Sequence, residues 1–357
     1  MFSILDRYIA SSVISMVVCC TLGLVALSSL IKFVDEIRHV GRGSFDMMSA
    51  IICVGYTVPT QIEMFFPLGV LLGTVLALGS LASSSELIVM QSLSKSRLSI
   101  VLSACKGILP LIVIVVLISE YVAPKAELAG ENYYMSVTTQ GRVSVTSSGV
   151  WFKEGDDFIN ISQVLNDGSM RGIKRYTFTN GDEKKLVKLD YADVGTWNGS
   201  AWVMTNVSTR FFTDTKIGTK TGKNVPWNLL LTPDKVGAIG INASELSARD
   251  LYNYISYMKS NGQRVDDYLL AFYRKIVNPF MVLVVVLLGA STVFGPLRSA
   301  SVGARVVVGI VVGFVFYAVN EILAPFTIFY GVPPIVGATL PTSIVLVVAI
   351  YLLRKRT

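Results

Sequence analysis

Histidine is almost absent from this sequence: one, His39, in 357 residues. A His-based metal site needs several imidazoles and a catalytic triad needs one placed beside a nucleophile, so neither is expected in the chain. Cysteine is also sparse. Cys19, Cys20, Cys53 and Cys105 all fall in apolar segments, with no CxxC spacing and none in the polar middle of the chain. That excludes a disulfide framework and a zinc ribbon, and leaves thiols that pack as small hydrophobes. Charge is the third shortage. Asp, Glu, Lys and Arg make up 15% of the residues, against roughly 25% in soluble domains, which points to lipid. The start, Met1-Phe2-Ser3, precedes an apolar run too long for a signal-peptide core and without a small-residue cleavage site, so a retained span is expected. The segment Gly218 to Asn224 has the residue types of a phosphate loop but lacks its glycine spacing and the Ser/Thr after Gly-Lys. No cofactor is expected in this chain; if ATP drives it, ATP and Mg belong to another polypeptide.

What the sequence has in excess is apolar residue, 52% of the total. Tyr8 to Ile31 carries no charge and would reach ~36 Å as a helix, enough to cross a ~30 Å hydrocarbon core. Further spans are expected at about Pro59–Ser84, Leu98–Ser119, Ile276–Leu297, Val306–Leu323 and Ile335–Leu353. Between the third and fourth, from about 121 to 264, polar residues alternate with Val, Tyr, Thr and Phe. Asn166-Asp167-Gly168, Asn180-Gly181 and Asn198-Gly199 supply turns. That pattern predicts an antiparallel β-domain. Trp151, Phe158 and Phe178 are expected to line its interior. Ser247 with Asp250, then Leu251, Ile255, Met258 and Gly262, predict one capped helix after the strands.

The fold class is therefore an α-helical membrane protein with six transmembrane helices, three before and three after an inserted antiparallel β-domain. The expected parts are a first bundle at 1–120, the β-domain at 121–264 and a second bundle at 265–357. The net charge of +7 sits largely beside apolar runs. Arg7, Lys95, Arg97, Arg298, Arg305 and the closing Arg354-Lys355-Arg356 all fall on one side of six spans, which makes that side the cytoplasm.

Charged residues near membrane depth are the candidates for function, because each is costly in hydrocarbon. Glu63, Glu120 and Glu321 map to outer ends of spans and are expected to reach the headgroups; Lys106 is expected to snorkel inward. Lys32, Arg38, His39 and Arg42 cluster at the outer end of the first span, either as a solvated loop or as a site for an anionic headgroup. Lys32 stands beside Leu24, Leu27 and Ile31, so acyl chains and headgroup could be met together. The connector 85–97 holds Glu86, with Leu87, Met90 and Leu93 at near-helical spacing. It is either an interfacial helix or a helix that docks on a cytoplasmic motor.

These residues also resemble a known family, the LptF/LptG permeases of lipopolysaccharide export, and within it the G-type branch. The resemblance is carried by Leu5-Asp6-Arg7-Tyr8-Ile9, Ile31-Lys32-Phe33-Val34-Asp35, Phe65-Phe66-Pro67, Ser85-Glu86-Leu87-Ile88-Val89-Met90-Gln91, Leu231-Thr232-Pro233-Asp234-Lys235, Phe294-Gly295-Pro296-Leu297-Arg298-Ser299 and Tyr330-Gly331-Val332-Pro333-Pro334. It implies a periplasmic β-jellyroll and a non-catalytic ABC-transporter permease subunit in the inner membrane of a Gram-negative bacterium. Implied partners are an F-type paralogue (LptF), a cytoplasmic ATPase dimer (LptB), bitopic LptC and lipopolysaccharide. The implied substrate residues are Lys32 and Arg38, with His39, Arg42, Leu24, Leu27, Ile31, Phe65, Phe66, Phe316 and Tyr317 around them. Glu86, Leu87, Met90 and Leu93 would form the ATPase-coupling helix, although Ser94 replaces the glycine usual there. The rival is a membrane-anchored assembly or signalling protein whose β-domain binds a partner. A lipoprotein-releasing permease fits less well, since its large domain follows the first span.

Overall fold

The structure, a computed structural model, describes residues 4–92, 96–138, 150–154, 157–164, 169–179, 185–213, 216–227, 229, 243, 246–294 and 301–354. Among the described residues six helices are long and apolar enough to cross a membrane, three before the strands and three after. The first bundle holds α1 (Ile4–Ile37), α2 (Met47–Ser83), a short α3 (Glu86–Ser92) and α4 (Arg97–Leu117). One π-helical turn, Ile118–Val122, joins α4 to α5 (Ala123–Thr138). After the strands come α6 (Ala248–Ser260), α7 (Asp266–Val293), α8 (Val302–Phe329) and α9 (Pro334–Arg354).

Two boundaries differ from expectation. α2 begins at Met47, well before Pro59, because Asp46 caps it: its Oδ1 accepts from the Ser49 amide at 2.8 Å and the Ser49 hydroxyl at 2.7 Å. Pro59 and Pro67 lie inside the helix, where surrounding helices tolerate them as they often do in membrane spans. The helix of the third span does not stop at Ser119 but winds on to Thr138. The change of composition after Glu120 marks an exit from lipid and not the end of a helix. α5 still packs on α2, with Gly130 under Tyr56 and Tyr133 against Tyr56.

α2 is the centre of the molecule, packing on α1, α5, α7 and α8. Gly69 and Gly73, one turn apart, let α1 approach it closely. A Cβ at Gly69 would run into the Thr21 hydroxyl, and one at Gly73 would come within 2.5 Å of Val17 Cα. Small residues at this spacing are how apolar helices gain packing contacts when lipid offers no hydrophobic drive. Of the cysteines, all free, Cys53 alone is buried and Cys19 is exposed on α1.

The strands β1 (Val150–Glu154), β2 (Asp157–Val164), β3 (Met170–Phe178), β4 (Leu186–Trp197), β5 (Trp202–Phe212) and β6 (Ile217–Trp227) form one antiparallel sheet in chain order. One face buries Phe152, Ile159, Ile161, Ile173, Trp202 and Trp227, and α6 covers it with Tyr254 and Tyr257. Ser247 caps α6 as predicted, accepting from the Asp250 amide at 3.0 Å, and Gly262 ends the turn at φ +64°. The Asn198-Gly199 turn joins β4 to β5, with Asn198 Oδ1 accepting from the amides of Ser200 and Ala201. The other two predicted turns lie outside the described residues.

Gly218 to Asn224 is part of β6, paired with β5. One sequence reading is corrected here: Trp151, Phe158 and Phe178 do not line the buried core. Their neighbours Phe152 and Ile159 do, while Trp151 is 54% exposed and stacks on Tyr176. In a strand a one-residue error of register exchanges the faces.

Candidate functional site

α1 continues past the expected membrane boundary to Ile37, so Lys32 lies on the helix and not in a loop. It is exposed, as are Leu27, Ile31 and Val34, which share another face of the same helix, while Leu24 is half-buried. Arg38 is also exposed and stands 3.8 Å from Asp35. His39 is not an open cation. Its Nδ1 lies 3.4 Å from Glu36 and its ring meets Tyr134 edge-on at 5.7 Å. Arg42 is exposed in the turn that follows.

This turn is held by the end of α5, an element the sequence reading missed. The Ser44 amide and hydroxyl both donate to the Val137 carbonyl, at 2.8 and 3.0 Å. Phe45 is buried against Tyr134. Gly43, at φ +61°, lies directly beneath the Thr138 carbonyl, where no Cβ fits. The backbone between Arg38 and Asp46 is thus fixed, and with it the placement of its cations.

The remaining expected substrate residues are not gathered with this cluster. Phe66 is buried in the bundle core and Phe65 half-buried on α2. Phe316 packs half-buried on the same core, and Tyr317 is exposed on α8. Along with α1, α8 leaves more of its apolar surface uncovered than the other spans.

Three carboxylates expected to reach headgroups have protein partners instead. Lys275 Nζ stands 3.6 Å from Glu63 and donates to the Ser119 hydroxyl at 3.1 Å. Arg274 stands 3.5 Å from Glu321 and donates to the Asn320 carbonyl at 2.8 Å. Glu120, on the π turn, accepts from the amides of Ala248 and Arg249 at 2.8 and 3.1 Å, closing the N-terminus of α6. Adjacent residues of α7 thereby tie down α2 and the π turn of the third span on one side and α8 on the other. Lys106 is exposed on α4, as snorkelling requires.

At the opposite end of the bundle, α3 inverts the expected coupling face. Leu87 and Met90 are 3% and 5% exposed and belong to the bundle core. Ile88 and Val89 face outward at 47% and 57%. Leu93 lies outside the described residues. The apolar pair at helical spacing faces its own protein, because burying it there removes it from water. The Glu86 carboxylate accepts from the Ser84 hydroxyl at 2.9 Å and also meets the Tyr8 hydroxyl of α1. Arg305, expected in an open connector, is buried, and its guanidinium donates to the Gly79 carbonyl near the end of α2.

The chain matches the family model described as lipopolysaccharide export system permease LptF/LptG over residues 7–355. It is 38% identical over 358 residues to the lipopolysaccharide export system permease protein LptG of Haemophilus influenzae, covering 100% of this chain and 99% of the relative. It is 37% identical over 360 residues to the protein of the same name from Escherichia coli K12, with the same coverage.

Proposed function

The chain belongs to the lipopolysaccharide export permease family LptF/LptG, and on that premise we propose how its parts divide the work. It is a multi-pass inner-membrane permease subunit of lipopolysaccharide export. In our reading it extracts the lipid from the outer leaflet of that membrane and passes it to a periplasmic bridge. The β-domain is periplasmic and both termini are cytoplasmic, as the basic residues at Arg7, Lys95, Arg97 and the last turn of α9 favour. An F-type paralogue (LptF) faces the uncovered sides of α1 and α8, bitopic LptC receives the lipid, and an LptB dimer holds ATP and Mg. The chain itself carries no reaction.

The observation that carries the site is the exposed end of α1 with the turn that follows it. Leu27, Ile31 and Val34 offer apolar surface to acyl chains, and Lys32, Arg38 and Arg42 offer cations to headgroup phosphates. Charge-assisted contacts of this kind contribute roughly 1.5–3 kcal/mol. Lys32→Ala should weaken lipid capture by roughly 10- to 150-fold, and Lys32→Arg by less, because charge survives. A photo-crosslinker at position 32 should trap lipopolysaccharide in cells. Normal export by Lys32→Ala, with no lipid trapped there, would reduce the site to a solvated helix end.

A further inference from the structure

Between α2, α4 and α7, at the end of the bundle that carries the β-domain, lies a cavity of about 280 Å³. It is separate from the basic end of α1. Phe66, Ile112, Val115 and Val282 line its apolar part; Glu63, Ser119 and Lys275 line its polar end. Ile112 and Glu120 both border it, which makes the slot ~12 Å long parallel to the helices. The π turn at Ile118–Val122 disrupts the helix ladder beside it, and such turns recur at functional sites. Two of its wall residues, Val116 and Ile276, are 43% and 48% exposed, so the slot opens sideways, where hydrocarbon surrounds the helices.

Size and charge identify the occupant. Pockets for drug-sized ligands run to roughly 300–1,000 Å³, so this one takes a single hydrocarbon chain and not a whole multi-chain lipid. At its polar end, Glu63 and Lys275 are 18% and 11% exposed and 3.6 Å apart, beyond hydrogen-bond distance. Lys275 spends one of its three N–H donors on Ser119. Both signs of charge therefore keep open bonding capacity at a largely buried site, where a charge short of hydrogen bonds is costly. A ligand of one sign satisfies one partner and repels the other. A zwitterion satisfies both, with its phosphate on Lys275 and its ammonium toward Glu63.

We propose that this cavity binds one acyl chain of a zwitterionic bilayer phospholipid, of the phosphatidylethanolamine kind, with its headgroup across Glu63 and Lys275. This lipid is a resident of the helix wall and not the exported substrate.

The test uses the full chain in nanodiscs containing phosphatidylethanolamine with a diazirine on one acyl chain. Light should attach the probe to Ile112, Val115 or Val282, and peptide mass spectrometry would locate the adduct. A phosphatidylglycerol carrying the same diazirine should label these positions roughly tenfold less, the effect of losing one charge-assisted contact. Val282→Trp should abolish the adduct by filling the slot. Competition on the unaltered chain, with unlabelled phosphatidylethanolamine displacing the probe and phosphatidylglycerol failing to, reads the same preference without a variant. No adduct in the slot, equal labelling by the two headgroups, or stronger labelling by a lipid A probe would each overturn the proposal.

Discussion

Asp190 is 1% exposed on β4, and three side chains meet it: Lys188 Nζ and Arg175 Nη2, each at 2.8 Å, and the Thr209 hydroxyl at 2.6 Å. Burial pushes its carboxyl up, but the bonds from Lys188, Thr209 and Arg175 outweigh that and hold it below the usual carboxylate value. Stability from a lowered carboxyl is present above its unfolded value of roughly 3.9 and is lost as pH falls through the folded one. Asp190→Asn should therefore cost about 3 kcal/mol at pH 7, by leaving Lys188 without its carboxylate and Arg175 with only Asp157, 3.8 Å away, and should flatten the acid arm of the stability profile. All four tryptophans, Trp151, Trp197, Trp202 and Trp227, lie in this domain. Tryptophan emission against denaturant, at pH 7 and again near pH 3, reads the effect directly. An unchanged midpoint at pH 7 would mean that the cluster contributes nothing. Such partnerships were invisible beforehand. Glu63 and Glu321 stood out in the sequence as carboxylates at span ends, but their partners Lys275 and Arg274 are identified only by the folded chain.

At the scale of elements, the sequence located helices better than it oriented them. The spacing of Leu87, Met90 and Leu93 marks one side of a helix, and nothing in it says whether that side meets the same chain or another. The structure turns Leu87 and Met90 inward and leaves Ile88 and Val89 exposed, the face that an ATPase partner would use under the proposed function. This yields opposite expectations for neighbouring residues. Leu87→Ala removes buried methyl groups and should lower the stability of the chain by roughly 2–5 kcal/mol. Paired Ile88→Asp and Val89→Asp should leave thermal stability in detergent nearly unchanged while the ATPase no longer co-purifies. Glu86→Lys should also weaken ATPase capture, and it would break the contacts to Ser84 and Tyr8. If the aspartate pair unfolds the chain and Leu87→Ala only releases the ATPase, the faces are assigned backwards. The same limit explains Gly69 and Gly73: their spacing stands in the sequence, but Thr21 and Val17 beneath them do not follow from it.

For the whole molecule, the order of spans and strands was legible because a bilayer and a sheet each impose one period on the chain. How the β-domain is attached was not. If the basic residues set orientation, a cysteine at position 153 in an otherwise cysteine-free chain should react with an impermeant thiol reagent from the periplasm, and one at 355 should not. The reverse labelling would invert the assignment. Besides the packing of Leu251 and Ile255 of α6 on Tyr268, Leu269 and Phe272 of α7, the attachment uses Glu120. Its carboxylate leaves the π turn of the third span and closes the N-terminus of α6, whose other face covers the sheet. A carboxylate there satisfies two open amides and opposes the helix dipole, together worth roughly 0.5–2 kcal/mol. Glu120→Ala should therefore speed hydrogen exchange at Ala248 and Arg249 by roughly 2- to 30-fold. Glu120→Gln, which keeps an acceptor but loses the charge, should fall between. The tryptophan-detected midpoint should barely move in either variant, since the sheet and its buried face are untouched. Should that midpoint fall as far as exchange accelerates, Glu120 would be stabilising the domain as a whole, and α6 would be part of its fold more than its tether to the membrane.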